Sequence, residues 1–395
     1  MGIDTAKLGA MHERMQWYVD QEILPCVETI VLDGTEVVDH ARFGYQDVFS
    51  KAPLQENSIW RMYSNTKIVT SIAAMILVER GQLGLDDELS THLPEFADMH
   101  VLRDGAETAD DTVPAESPIL VRQVMSHTAG LSYGFIEPFS TIDQAYMAIN
   151  PLGIDRTLDD MCQAVGGLPL AYQPGTSWRY SVATDVTARL VEVVSGQSFG
   201  EFLAAEIFGP LGMVDTGFSV PESEHDRIIT MTAPADMFDP MKPGHGRSDA
   251  PPGGDVRLER PFESGGGGLV STMADYLTFI RMIVNGGEWN GARIVAPETL
   301  AAMRVNQCAP GVGVAFPMWQ MAGTTFGLGF ALKESVSDEE PAGMLGEYHW
   351  GGMAGTHTWM SPETGLTGFA CTQVMPGFWH PFSHEFKSAV YAAAD

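Results

Sequence analysis

The sequence predicts an α/β fold of the α+β type, in which one antiparallel sheet is flanked by helices and a mainly helical domain is inserted. Three observations lead to this prediction: β-type segments lie near both chain ends, a long apolar helix begins near residue 64, and short helical segments fill the middle of the chain. We therefore predict an α/β domain made of residues 1–86 and 256–395 and an inserted domain of residues 87–255. The active site is expected in the cleft between them.

The N-terminal part predicts a helix followed by a β-hairpin. From Thr5 to Gln21, apolar residues recur at helical spacing along one stripe. Two β-type runs, 29–32 and 36–43, then flank Asp33-Gly34, a dipeptide typical of tight hairpin turns. Both elements are assigned to the α/β domain.

Residues 60–81 predict a short extended segment and then a helix that is apolar on nearly every side, which places it inside a large domain. Its first turn carries Ser64 and Lys67, which share one helical face at a spacing of three. Free N–H groups and the helix dipole favour negative charge beside Ser64. Loss of hydration favours the neutral, basic form of Lys67. The pair is the only S-x-x-K in the chain, although a solvated lysine on an ordinary first turn gives the same pattern.

The middle of the chain predicts a loop-rich, mostly helical region. Pro, Gly and acidic residues separate short apolar segments, and we expect helices at 119–125, 143–148, 158–165, 185–194 and 199–208. Residues 227–255 contain several Pro and Gly and are predicted to form a long surface loop.

The C-terminal part is predicted to complete the sheet. Four glycines, 265–268, are expected to let the backbone pass close to another element, and a helix capped at Thr272 runs to Asn285. We predict a strand at 326–333, a hairpin of 348–360 with 366–374, and a last helix at 381–394. The strands should join the first hairpin in one sheet, with the terminal helices on one face and the Ser64 helix on the other.

Composition limits the function classes. The formal charge of −29 argues against nucleic acid or an anionic membrane surface as a partner. The N-terminus lacks the pattern of a signal peptide, and the longest apolar stretch falls short of the roughly 20 residues of a membrane span. Four scattered cysteines are interpreted as reduced core thiols, so a cytoplasmic location is expected; they are Cys26, Cys162, Cys308 and Cys371.

Two further segments are candidates to complete a site around Ser64. Tyr180 lies at a loop-to-helix junction, where it can point into a cleft and accept a proton beside Lys67; core packing is the alternative. Gly351-Gly352 permits close approach of a ligand to the backbone. An N–H there, together with that of Ser64, would form an oxyanion hole, whereas a tightly packed bulge would need the same glycines.

The histidines are weaker candidates. His127 is expected to hold a loop through hydrogen bonds, because no acidic partner for a triad is evident and the chain contains no G-x-S-x-G. His380 and His384 with Glu385 have loose metal-like spacing, but Pro381 interrupts the helix between them and no third ligand cluster accompanies them. We predict neither a metal nor a cofactor.

Ser64-x-x-Lys67, Tyr180-Ser181 and Trp350-Gly351-Gly352, in this order, resemble the serine β-lactamase-like superfamily, and most closely its family VIII carboxylesterases. The superfamily also holds class C β-lactamases and D-alanyl-D-alanine carboxypeptidases. The resemblance implies that Ser64 is the acylated nucleophile, that Lys67 activates it, and that Tyr180 carries the proton. It also implies that the N–H groups of Ser64 and Met353 bind the oxyanion.

Two departures from the lactamase motifs bear on the substrate. Val182 replaces the Asn of Tyr-x-Asn, and Trp350-Gly351-Gly352 replaces Lys-Thr-Gly. These four residues are expected to border the substrate, and the apolar replacements favour small, uncharged esters with short acyl chains. The predicted function is that of a cytoplasmic carboxylesterase. A β-lactamase or DD-peptidase, an acyltransferase and a catalytically inactive binding module remain as alternatives, and the oligomeric state is left open.

Overall fold

The computed structural model describes residues 3–248, 252–317 and 319–394, apart from the side chain of Trp319. The α-helices are α1 Gly9–Asp20, α2 Thr66–Glu79, α3 Leu89–His92, α4 Val121–Met125, α5 Thr141–Ile149, α6 Leu158–Gly166, α7 Ala183–Ser195, α8 Phe199–Leu203, α9 Gly209–Leu211, α10 Met273–Val284, α11 Pro297–Met303 and α12 Phe382–Ala394. Short 3-10 turns are Thr5–Leu8, Tyr63–Asn65, Pro94–Phe96, Glu222–Arg227 and Ala342–Met344, and a π turn is Ala204–Phe208.

The strands are β1 Cys26–Asp33, β2 Glu36–Asp47, β3 Ala52–Pro53, β4 Trp60–Arg61, β5 His100–Leu102, β6 Thr112–Pro114, β7 Thr232–Pro234, β8 His245–Arg247, β9 Val270–Ser271, β10 Glu288–Trp289, β11 Ala292–Arg293, β12 Ala315–Phe316, β13 Trp319–Gln320, β14 Thr324–Phe326, β15 Ala331–Lys333, β16 Tyr348–Gly352, β17 Thr356–Met360 and β18 Leu366–Cys371. One eight-stranded sheet has the order β14-β15-β16-β17-β18-β1-β2-β3. Because β1 pairs antiparallel with β18, with Ile30 opposite Phe369, strands from both chain ends meet in its centre. The predicted fold class is confirmed.

Helices cover both faces of this sheet, as the sequence predicts. Buried residues of α1 and α12, such as Met15 and Phe386, form one apolar cluster with Val31 of β1. On the other face, Ile30 belongs to a larger cluster that contains most of α2. Lys67 to Leu77 of α2 are buried without interruption, which is what an all-round apolar helix predicts.

Two strand predictions are wrong in the same way. Residues 326–333 form a tight hairpin of β14 and β15, closed where the Gly327 N–H donates to the Phe330 carbonyl at 2.8 Å. Residues 348–360 also reverse direction, because β16 and β17 are joined by a turn in which the Gly355 N–H donates to the Gly352 carbonyl at 2.9 Å. The Gly355 φ of +86° is a conformation that glycine adopts at little cost. Trp350-Gly351-Gly352 therefore ends a strand.

The region between the sheet-forming ends is largely helical. Helices α4 to α8 fall on the five predicted segments. Within 227–255, the short strands β7 and β8 pair with each other, so the predicted loop carries a hairpin, and residues 249–251 lie outside the described part. None of the helices in the described ranges is long and apolar enough to cross a membrane. The division into two domains stays a prediction.

Candidate active site

The chain turns sharply just before Ser64. Strand β4 pairs with β9, the 3-10 turn Tyr63–Asn65 follows, and α2 begins at Thr66. Tyr63 has φ = +44°, an uncommon conformation for a residue with a side chain, and it directly precedes Ser64. Because the first N–H groups of a helical turn have no partner within the helix, the Ser64 N–H belongs to the set that can bind an anion.

Lys67 is buried, with a relative exposure of 1%. Its Nζ donates to Ser64 Oγ at 3.2 Å, to Tyr133 Oη at 2.8 Å and to the Gly266 carbonyl at 2.6 Å. An ammonium group has three N–H bonds, so these acceptors satisfy it completely. The structure thus places the Lys67 amine, with three hydrogen-bond partners, next to Ser64.

Tyr180 lies on the other side of Ser64. Its hydroxyl donates to Ser64 Oγ at 2.7 Å, and the Trp350 indole N–H donates to Tyr180 Oη at 3.3 Å. Lys67 Nζ is 4.6 Å from the centre of the Tyr180 ring. The three predicted side chains Ser64, Lys67 and Tyr180 are therefore brought together. Trp350 contacts Tyr180 through its indole N–H, a polar group that was left out when the sequence analysis treated Trp350 as an apolar residue.

Tyr133 and Asp185 belong to this arrangement, and the sequence interpretation missed both. Tyr133 bonds Lys67, and its pKa is raised well above the usual value by burial, by Tyr180 and by Asp185. Asp185, at 0% exposure, accepts from the Gly266 N–H at 2.9 Å and so helps to fix Gly266, the residue whose carbonyl binds Lys67. Burial raises the pKa of Asp185 while the charge of Lys67 opposes that rise. A carboxylate in the first turn of the apolar helix α7 was the available signal for Asp185; Tyr133, in an irregular loop, gave none.

The glycine run before β9 makes the contact with Asp185 possible. A Cβ on Gly266 would lie 2.5 Å from Asp185 Oδ2, and one on Gly265 would lie 2.6 Å from Ala188 Cβ. The predicted close approach of backbone to another element therefore exists, and the other element is α7.

The β16–β17 turn approaches the Ser64 segment through another glycine. A Cβ on Gly352 would lie 2.5 Å from the Met62 carbonyl and 3.0 Å from Tyr63 Cβ, so only glycine fits. Met353 follows immediately and borders the same cavities as Ser64. Gly352 itself serves close packing, whereas Gly351 borders one of the cavities that Ser64 borders. Val182, at 0% exposure, is in the core and is not among the residues that border these cavities.

His127 has the local role that the sequence predicts. Its Nδ1 is 3.1 Å from Ser181 Oγ, its carbonyl accepts from the Arg179 N–H at 3.0 Å, and its ring centre is 5.0 Å from that of Tyr180. Burial and the positive charge of Lys67 lower its pKa well below the usual value. His127 thus supports the loop that carries Tyr180. Within the described residues, no group of three or more His, Cys, Asp or Glu side chains is arranged to hold a metal ion.

Ser64 lies where two cavities meet. Ser64, Phe135, Tyr180 and Met353 border both. The first cavity, of about 130 Å³, extends toward Arg61, Asp255 and Arg260. The second, of about 660 Å³, is almost entirely apolar, and its walls include Phe139, Phe316, Trp350, Phe378 and Trp379. The site therefore offers a nucleophile with different surroundings on its two sides.

Comparisons with known proteins show the family and related folds. The sequence model of the Beta-lactamase family matches residues 11–384. Protein Rv1367c of Mycobacterium tuberculosis is 32% identical over 358 residues, covering 88% of this chain and 85% of that protein. Esterase EstB of Burkholderia gladioli is 28% identical, covering 99% of this chain and 97% of its own. The solved structure of EstCE1, a hydrolase with promiscuous acyltransferase activity, matches with a TM-score of 0.80 at 25% identity, covering 98% of this chain and 99% of EstCE1.

Proposed function

The chain belongs to the Beta-lactamase family and is a serine hydrolase of that fold, and on this premise we propose that it is a carboxylesterase acting through an acyl-enzyme on Ser64. The observation that carries the proposal is the pair of hydrogen bonds on Ser64 Oγ, from Tyr180 at 2.7 Å and from Lys67 at 3.2 Å. A hydroxyl held between two proton-carrying groups is the arrangement that an activated nucleophile needs.

The proposed reaction has two steps. In the first, Tyr180 in its phenolate form takes the Ser64 proton, supported by the charge of Lys67, and Ser64 Oγ attacks the ester carbonyl. The N–H groups of Ser64 and Met353 bind the oxyanion, and the alcohol leaves with the proton from Tyr180. In the second step, water gives a proton to Tyr180 and attacks the acyl-enzyme. Tyr180 passes this proton to Ser64 Oγ as the bond between Ser64 and the acyl group breaks, which releases the acid and restores both the Ser64 hydroxyl and the Tyr180 phenolate. In place of the neutral form expected from the sequence, we propose the ammonium form for Lys67, because its Nζ lies within hydrogen-bond distance of three oxygen atoms, those of Ser64, Tyr133 and Gly266.

The preference for esters over lactams is proposed from the end of β16. Trp350 stands where the lactamase motif has a cation, and its one polar atom is occupied by Tyr180. A carboxylate buried there without a partner would cost several kcal/mol. The apolar cavity next to Trp350 suits an uncharged hydrocarbon group. Its size leaves room for more than an acetyl group, so the preference for short acyl chains stays a prediction to be measured.

One panel tests the proposal. We expect p-nitrophenyl acetate, butyrate and octanoate to be hydrolysed, each with a larger kcat/KM than the chromogenic cephalosporin nitrocefin. Ser64→Ala should abolish hydrolysis and keep the thermal unfolding midpoint. Intact-mass spectrometry and peptide mapping should locate a phosphonate adduct on Ser64. A label on another serine would contradict the assignment, and a cephalosporin kcat/KM equal to that of the butyrate ester would favour a lactamase.

Acyl transfer to an alcohol is the second candidate, and the paired cavities favour it. One cavity can hold the acyl group while the other admits an acceptor in place of water. EstCE1 is described as a hydrolase with promiscuous acyltransferase activity. Adding butanol to the p-nitrophenyl butyrate assay separates the two: transfer gives butyl butyrate and a faster release of nitrophenol when deacylation limits the rate, whereas a strict hydrolase gives only butyrate.

We also propose a small-molecule ester as the partner and the cytoplasm as the compartment. The four cysteines are free, and burial raises the pKa of Cys26, Cys162 and Cys371, which keeps these thiols unreactive. Free thiols in the core suit a reducing compartment.

A further inference from the structure

A guanidinium that has no hydrogen bond or ion pair with any of the described residues borders the Ser64 cavity. Arg61 lies three residues before Ser64, and its backbone is fixed by Gln373, whose side chain accepts from the Arg61 N–H at 3.1 Å and donates to its carbonyl at 3.2 Å. Its side chain is partly buried, its Nε is fully buried, and no residue in the described part of the chain forms a hydrogen bond or ion pair with the guanidinium. Burial lowers the pKa of Arg61, yet arginine keeps its charge in proteins.

The cavity beside Arg61 concentrates positive charge in an acidic protein. The chain has 51 acidic and 22 basic residues. Among the described residues that line a neighbouring cavity of about 650 Å³, Asp255 is nevertheless the one carboxylate, and it stands together with Arg61, Arg247, Arg257 and Arg260. Arg61 and Arg260 also border the Ser64 cavity. A negatively charged group in this cavity would meet a positive local potential, although the net charge of the whole chain is negative.

The other three arginines already have partners. Arg257 Nε is 2.9 Å from Asp255 Oδ1, and Arg260 is 3.4 Å from a carboxylate oxygen of Asp155. Arg247 lies over the Phe49 ring, 4.2 Å from its centre. Among the described residues, Arg61 is thus the member of the group with neither a carboxylate nor an aromatic ring as a partner, and it is the one nearest in sequence to the nucleophile.

We propose that Arg61 binds a carboxylate carried by the ester substrate, so that the enzyme prefers monoanionic esters to uncharged ones of the same shape. This inference rests on the proposed ester hydrolysis at Ser64. The planar guanidinium fork matches the two oxygens of a carboxylate. A monoanion fits better than a phosphate dianion, because Asp255 stands at the same mouth and would repel the second charge. The uncharged substrate expected from Trp350 is then accepted but not preferred.

Matched ester pairs test the proposal in two arms. With the carboxylate in the acyl part, p-nitrophenyl hemiglutarate is compared with p-nitrophenyl valerate. With the carboxylate in the alcohol part, 4-acetoxybenzoate is compared with its methyl ester. In at least one arm we expect kcat/KM for the anion to exceed that for the neutral ester, and Arg61→Gln to lower the anion's value by tenfold or more while changing the neutral one less than threefold.

Control variants separate the guanidinium fork from net charge. Arg247→Gln removes the same charge from the neighbouring cavity and should change the anion preference less than threefold. Arg61→Lys keeps the charge without the fork and should restore part of the preference. If neither arm prefers the anion, or if Arg61→Gln and Arg247→Gln lower it equally, the proposal is overturned.

A binding experiment separates this inference from the proposed reaction. In the Ser64→Ala variant, which cannot form an acyl-enzyme, isothermal titration calorimetry with 4-acetoxybenzoate and with the hemiglutarate should show at least one of them binding tenfold or more tightly than in Ser64→Ala/Arg61→Gln. If the parent hydrolyses no ester and this difference is still found, the proposed reaction fails and the carboxylate site stands. If neutral esters are hydrolysed and neither titration shows a difference, the carboxylate site fails alone.

Discussion

The hydrogen bond from the Trp350 indole to Tyr180 makes a specific prediction about turnover. In the proposed mechanism Tyr180 carries negative charge when it accepts the Ser64 proton, and the Trp350 N–H points at the oxygen that bears this charge, at 3.3 Å. Trp350→Phe keeps an aromatic ring at a position with 3% exposure and removes that donor. We expect kcat to fall.

The size of the effect follows from the bond length. A hydrogen bond to a charged group contributes about 1.5–3 kcal/mol, and 3.3 Å lies beyond the usual range, so the lower end applies. A loss of about 1.5 kcal/mol in transition-state stabilisation corresponds to roughly tenfold in kcat. Because Trp350 also borders the apolar cavity, KM is expected to change independently through lost packing on the substrate.

Trp178 provides a matched control for this change. Like the Trp350 ring, the Trp178 ring lies next to that of Tyr180, with the centres 6.3 Å apart, and Trp178 is 7% exposed. Its indole N–H, however, has no hydrogen-bond partner among the described residues. Trp178→Phe removes the same atoms next to the same tyrosine and should leave kcat within about threefold, since no donor to Tyr180 is lost.

The assay is steady-state hydrolysis of p-nitrophenyl butyrate by the two variants, with thermal unfolding midpoints as a check on folding. Similar losses of stability combined with a roughly tenfold difference in kcat would support the donor role. Equal kcat values in the two variants, or a Trp350→Phe kcat within about twofold of the parent, would refute the reasoning.

Two further predictions concern the proton-carrying groups and acid stability. Lys67→Met and Tyr180→Phe should each lower kcat by at least about a hundredfold, and the double variant should lose little more than the worse single one, because groups that act as a unit are not additive; a Tyr180→Phe enzyme within about threefold of the parent would remove Tyr180 from the mechanism. Burial lowers the pKa of His380 to about 4, and its Nδ1 accepts from the Phe382 N–H at 3.2 Å. Below about pH 6.5 the imidazole of His380 binds a proton in the unfolded chain but not in the folded chain. The free energy of unfolding therefore decreases as the pH is lowered, by about 2 kcal/mol between pH 7.5 and pH 5 from this residue. In urea unfolding, His380→Asn should keep the acceptor and remove that part of the slope; an unchanged slope would contradict it.

The sequence predicted the fold well where its patterns were long or local. The all-round apolar helix α2, the Asp33-Gly34 hairpin and the terminal helices each carry their own periodicity or turn signal, and the structure has them. The errors at 326–333 and 348–360 arose because each segment reads as one β-type run although a short turn divides it. Gly329, with φ = +90°, and Gly355 mark these turns, but glycine in a strand pattern also indicates a bulge.

Contacts between site residues that are close to one another in the sequence could be predicted from spacing, and contacts between residues that are far apart in the sequence could not. Ser64 and Lys67 are one helical turn apart, so their contact follows from spacing. Tyr133 and Asp185 come from distant parts of the chain. Tyr133 accepts a hydrogen bond of 2.8 Å from Lys67, and Asp185 acts on Lys67 through Gly266. No local sequence pattern encodes such contacts. The Trp350 N–H was missed because the residue was interpreted by its apolar ring alone.

Contacts from distant parts of the chain also explain how Tyr63, directly before Ser64, can be held in a costly backbone conformation. Tyr63 sits at φ = +44°, and a non-glycine residue there persists only when its surroundings fix it. Thr356 Oγ1 donates to the Met62 carbonyl at 2.9 Å, and Tyr276 Oη donates to the Asn65 carbonyl at 3.0 Å. These two bonds fix the residues on either side of Tyr63 and Ser64 from β17 and from α10. Because the nucleophile is clamped from two elements that are remote in sequence, its orientation is set before a substrate arrives, which is the condition under which hydrogen-bond donors aimed at a developing oxyanion are most effective.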